Sequence, residues 1–123
     1  MCETVSGRVR TFRKPRKGFK VINPNGHSLA HVINFNWTKF EGVEHKAEPK
    51  YSKLNFTLNT EKVTRGGFHL FETLEGAKHY RIQGLKERII EVEFRGKAIP
   101  FTRKNYKGYA VEFVKVIREI TNV

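Results

Sequence analysis

Residues 66–80 read GGFHLFETLEGAKHY, and within this stretch a strand is expected to hand over to a helix. Gly66-Gly67 can take the backbone angles of a turn, and FHLFE after them reads as a strand. Thr73 then fits a helix N-cap. Its hydroxyl can accept a hydrogen bond from a free backbone N–H, and Glu75 favours the positive end of the helix dipole. Leu74, Ala77 and Tyr80 fall on one face at spacing three, which predicts a short, half-buried helix from Leu74 to about Gln83, stopped by Gly84.

Working outward, RIIEVEF alternates Ile90, Val92 and Phe94 with charged neighbours, and YAVEFVKVI alternates in the same way. Both read as strands. Upstream, FKVI and HSLAHVI flank an Asn25-Gly26 pair suited to a hairpin turn, which predicts strands at 19–23 and 28–34. The middle, from NFNWTKF through EGVEHKAEPKYSK, has weak periodicity and a proline, Pro49, and reads as loop-rich; NFTL beyond it is a candidate brief strand. Pro15 interrupts the run before Phe19, so residues 1–17 are expected to form a basic N-terminal arm, with a short strand at most over Arg8–Phe12. The expected fold class is α+β: an antiparallel-rich sheet with one or two short helices in a single domain over 18–123.

The chain has 123 residues and one cysteine, Cys2, so one core is expected and no internal disulfide. It has no apolar run long enough to span a bilayer and no signal-peptide core at MCETVSGRVR, and the expectation is a soluble, intracellular protein without a membrane partner.

The formal net charge is +12, which calls for an acidic partner. The excess is clustered. RVRTFRKPRKGFK carries Arg8, Arg10, Arg13, Lys14, Arg16, Lys17 and Lys20 with no acid among them. A second cluster, Arg95, Lys97, Arg103, Lys104 and Lys107, is interleaved with aromatic residues, among them Tyr106. Cations neutralise phosphates and aromatic faces stack on bases, so this mixture suits single-stranded nucleic acid or structured RNA, free or in a nucleoprotein surface. The competing reading is a merely solvated basic face. His27 and His31 share a spacing that could ligate a metal, but no cysteine or carboxylate completes the set, and no metal is expected. The RGGFHLF run begins like the aromatic strand of an RNA recognition motif, yet its glycine pair shifts the aromatics by one position and turns them to the opposite face.

The order strand, GFHLF, helix with Ala77 and Tyr80, IIEVEF, then a last strand with Glu112 resembles the second half of an ADP-ribosyltransferase-type fold over residues 66–120. That resemblance implies NAD as cofactor, with Phe68 or His69 and Phe71 flanking the nicotinamide, Tyr80 beneath it and Glu112 as the acidic residue. His27 before Ser28 is the nearest candidate to hold the dinucleotide. The GFHxF strand and Thr-capped helix also resemble small proteins encoded by bacteriophages and other mobile elements. That likeness covers most of the domain and implies genome context rather than chemistry; small phage proteins of this size often bind and block a host defence complex, so an inhibitor of an anti-CRISPR-like kind, without a cofactor, is the expectation. Charge spread over two segments favours binding over transferase chemistry, which needs only a local cationic pocket.

Overall fold

A computed structural model of the chain describes residues 5–26, 36–37, 42–56, 59–81 and 86–121, with residues 51–56, 59–63 and 65 described by backbone alone. The described residues form seven strands and one helix: β1 (Arg10–Ile22), β2 (Glu44–Lys46), β3 (Pro49–Phe56), β4 (Asn59–Gly66), β5 (Phe68–Phe71), α1 (Leu74–Tyr80), β6 (Arg88–Arg103) and β7 (Tyr106–Ile120).

The two alternating C-terminal runs grow into a long hairpin, paired from Ile89↔Ile120 to Arg103↔Tyr106. Its turn is Lys104-Asn105, with φ of 48° and 71°, the doubly left-handed geometry that matches strand twist. β1 adds antiparallel along β6, from Arg10↔Ala98 to Ile22↔Arg88. β5 pairs with β7 from Phe68↔Val111 to Phe71↔Gly108 and meets β1 at Phe19↔Phe71. The circuit β1–β6–β7–β5 therefore closes on itself. β2 extends the sheet beside β7 at Glu44↔Lys115, and β3 and β4 form a separate hairpin from Pro49↔Gly66 to Phe56↔Asn59.

Closure needs a bend in the long strand, and a bulge between Arg95 and Ala98 supplies it. Gly96 sits there at φ 82°. A Cβ at this position would stand 2.7 Å from Glu112 Oε1 and 2.8 Å from Phe113 Cδ2, so only glycine fits. The Lys97 N–H, displaced from the ladder, donates to Glu112 Oε1 at 3.1 Å.

Two apolar clusters result. In one, Phe12 meets Phe94 and Tyr109 edge-on at 5.6 and 5.4 Å, and Trp37 meets Phe68 at 5.4 Å. In the other, Val21, Phe71, Ile89 and Phe101 are covered by α1 through Ala77, with Leu74 and Tyr80 packed against them. Burying each such large side chain contributes about 1.5–3 kcal/mol. β5 serves both clusters, Phe68 and Leu70 entering the first and Phe71 the second.

Several expectations need correction. The fold is closer to all-β than α+β: one helix of seven residues stands against an extensive antiparallel sheet. Thr73 does cap that helix, its Oγ1 accepting from the Gly76 N–H at 3.2 Å, and the helix ends at Tyr80; residues 82–85, where the Gly84 stop was expected, lie outside the described residues. The supposedly loop-rich middle contains β2 and β3, because Pro49 opens β3, a position where its missing N–H costs no ladder bond. The boundary drawn at residue 17 falls inside β1, since Pro15 occupies the irregularity between Phe12 and Arg16. The expected strand at 28–34 lies outside the described residues.

Candidate nucleic-acid interface

The first basic cluster lies along β1 and the chain leading into it. Val5 bridges Phe101 and the Ser6 N–H donates to the Pro100 carbonyl at 2.9 Å, so residues 5–10 run beside β6 and bring Arg8 into line with the strand that follows. Arg8, Arg10, Arg13, Lys14, Arg16 and Lys17 are all exposed. Between them Phe12 points inward, and the guanidinium groups of Arg10 and Arg16 each stand 4.8 Å from its ring centroid. Two like charges are thereby held within about 10 Å of each other on one aromatic ring, an arrangement stabilised by the ring quadrupole and opposed by mutual repulsion. An anion between them would relieve that repulsion.

Most other cations on the sheet are already matched. Arg95 makes a two-pronged contact to Glu44 at 2.6 and 3.0 Å and lies 4.1 Å from the Phe113 ring centroid; the hydrogen bond holds the Glu44 carboxyl below, and the guanidinium above, its ordinary value. Lys97 pairs with Glu48 at 3.6 Å, Lys115 with Glu93 at 3.8 Å, Lys46 with Glu112 at 3.8 Å, and Arg88 with Glu119. Lys17 and Arg118 converge on Glu91 at 3.1 and 2.9 Å. Burial works to raise that carboxyl, but the hydrogen bonds from Lys17 and Arg118 outweigh it and hold it below the usual range. By contrast, no described carboxylate lies within ion-pair distance of Arg8, Arg10, Arg13, Lys14 or Arg16. Lys20 is buried, with its ammonium 5.4 Å from the Trp37 ring centroid, and is not part of this surface.

The second cluster divides. Arg95 and Lys97 sit at the bulge in their ion pairs, whereas Arg103, Lys104, Tyr106 and Lys107 gather at the β6–β7 turn beside α1. Arg103 lies 4.7 Å from the Tyr80 ring centroid and Lys107 5.3 Å from that of Tyr109. Lys104 is held left-handed, which costs a residue bearing a Cβ about 1–2 kcal/mol. Lys104→Gly is expected to raise the unfolding free energy by about 1 kcal/mol while weakening oligonucleotide binding. Chemical denaturation and a binding titration on the same sample check both signs.

Of the residues implied by the transferase resemblance, Phe71 and Tyr80 line one cleft beside α1, whereas Phe68, His69 and Glu112 are not part of its lining. His69 is packed edge-on to Phe101 at 5.9 Å, and its Nε2 has no hydrogen-bond partner among the described residues. Burial, assisted by the Lys20 charge, pushes its imidazole down to about 4. Glu112 commits its carboxylate to the Lys97 N–H and to Lys46, and Tyr80 packs on Phe71 at 5.3 Å. His27 and His31 lie outside the described residues. Phe12 and His79 were missed in the sequence: Phe12 looked like one aromatic in a floppy arm, and His79 carried no signal until the β6–β7 turn placed Tyr106 4.6 Å from it.

No protein-family model, curated protein or solved structure matches this chain.

Proposed function

We propose that this protein is a non-enzymatic binding module for nucleic acid, engaging the phosphate backbone of single-stranded nucleic acid or structured RNA along β1. The observation that supports this reading best is the imbalance of charge along β1 and the chain leading into it: most cations elsewhere on the sheet are held by carboxylates, while Arg8, Arg10, Arg13, Lys14 and Arg16 have none among the described residues. On binding phosphate, such cations displace the counterions condensed on the nucleic acid and so release them to solution. Cations along the N-terminal half of β1, whose described pairing is with β6 alone, also discourage edge-to-edge association of sheets, and the two roles are separable by experiment. The likeness of the GFHLF strand and helix to mobile-element proteins makes a host nucleoprotein complex the natural setting, with its exposed RNA or DNA as the contact and its inhibition as the outcome.

The test is a salt titration. A fluorescent uridine 20-mer should bind at 50 mM NaCl, and log K should fall against log salt with a slope of about −4, given roughly six phosphate contacts at 0.7 each. Affinity then falls roughly 250-fold by 200 mM. Absence of binding at 50 mM, or a slope near zero, rules the reading out.

A further inference from the structure

Between the C-terminal half of α1 and the β6–β7 turn lies a cleft of about 130 Å³, lined by Phe71, Gly76, His79, Tyr80, Arg103 and Lys104. Its floor is apolar and set close. Gly76 lets the helix approach the sheet, since a Cβ there would stand 3.1 Å from Tyr106 Cβ and 3.2 Å from Phe71 Cδ1. Its walls are aromatic. The Tyr80 ring holds Arg103 against one side, and the His79 and Tyr106 rings lie at 31° with centroids 4.6 Å apart. Its mouth is cationic, from Arg103 and Lys104, and no carboxylate among the described residues lines it.

These features select a ligand class. An enclosed cavity of about 150 Å³ accommodates a benzene ring; this cleft, at about 130 Å³ and open to solvent, is of the size that takes one six-membered ring seated partly outside it. Aromatic walls favour a flat π system, and the two cations at the mouth favour an anion attached to it. Lys104 takes its left-handed backbone position because the two-residue turn requires it, and this sets its side chain at the tip of the turn beside the cleft.

The geometry points to this cleft as the seat of a single unstacked pyrimidine base of the bound strand, its ring against Tyr80 and His79 and its phosphate on Arg103 and Lys104. The proposal rests on the nucleic-acid reading and deepens it. A base paired and stacked within a duplex cannot enter, so the cleft favours single strands, whereas the β1 cations read only phosphates.

The experiment compares a uridine dodecamer with an abasic ribose-phosphate dodecamer of the same charge at 50 mM NaCl. The wild-type protein should prefer the base-bearing strand by about 5- to 150-fold, the range that one stacked base supplies. His79→Ala and Tyr80→Leu should each bring this preference towards unity without changing affinity for the abasic strand. Tyr80 also packs on Phe71, so the exposed His79 provides the variant that spares the fold, and a melting curve is recorded for both. Equal wild-type affinity for the two strands overturns the base seat and leaves backbone binding intact. Failure of both strands to bind overturns the seat and the reading beneath it together.

Discussion

Replacing Arg8, Arg13 and Lys14 together with Gln should lower affinity for single-stranded RNA about 100-fold at 0.1 M salt. Each phosphate contact on a single strand contributes about 0.7 to the salt slope, which at 0.1 M is roughly a fivefold factor in affinity. The slope itself should become shallower by about 2. These three residues are the right ones to remove because they are exposed and no described carboxylate holds them, whereas Arg10 and Arg16 also cover Phe12 and Lys17 also holds Glu91. The matched control neutralises Lys46, Lys115 and Arg118, each paired with a carboxylate. It changes net charge equally and should change affinity by severalfold at most. Should both triple variants lose affinity alike, the attraction is a property of total charge and not of β1. Should the first keep its affinity but associate with itself, the β1 cations serve to protect the edge of the sheet.

Acid should destabilise the fold through His69 well before the carboxylates matter. The imidazole titrates at 6.5 ordinarily and at about 4 in the folded protein, because burial against Phe101 disfavours its charged form. Between these values the unfolded chain takes up a proton that the folded chain refuses. Stability is therefore full above 6.5 and falls as the pH drops, by roughly 2 kcal/mol at pH 4.5 and about 3 kcal/mol once both states are protonated. Glu44, Glu91 and Glu119 have folded values below their ordinary 4.5, so their contribution is present above 4.5 and disappears beneath it. Urea denaturation at pH 7 and pH 5.5, where the carboxylates are still ionised in both states, isolates the histidine, with an expected loss of about 1 kcal/mol. The wild-type protein should lose stability between the two, and His69→Phe should lose little. An unchanged wild-type midpoint would show that His69 accepts its proton without penalty.

The parts of this fold that could be read from the sequence are those whose signal is local. The strand signalled by Ile90, Val92 and Phe94, the Thr73 cap and the Gly66-Gly67 turn each depend on neighbours a few residues apart, and each is found where expected, although Ile89 and Glu91 are buried along with Ile90 and Val92. What escaped depends on distant partners. β1 looked like an arm because Pro15 and a run of cations break its pattern; it is a strand because β6 offers a complete ladder and tolerates an irregularity at the proline. β6 and β7 extend well beyond their alternating centres because Gly96 turns the strand instead of ending it. The candidate site divides in the same way. The cations were visible as composition, but which of them a carboxylate neutralises was not, since Arg95 meets Glu44 and Lys97 meets Glu48 only through the sheet. The aromatic cleft was invisible as a unit, because it joins a helix to a turn more than twenty residues later.

The closed circuit of strands also sets when the molecule can be born. Arg10 finds its partner at Ala98 and Phe12 finds Gly96, so β1 leaves the ribosome long before the strand that templates it. At a synthesis rate of about 5–20 residues per second the wait is on the order of 5–20 s, and pairings this distant in sequence make for folding in milliseconds to seconds once the chain is complete. Throughout that interval the cationic segment is nascent chain with no sheet to order it, emerging beside the most abundant RNA in the cell.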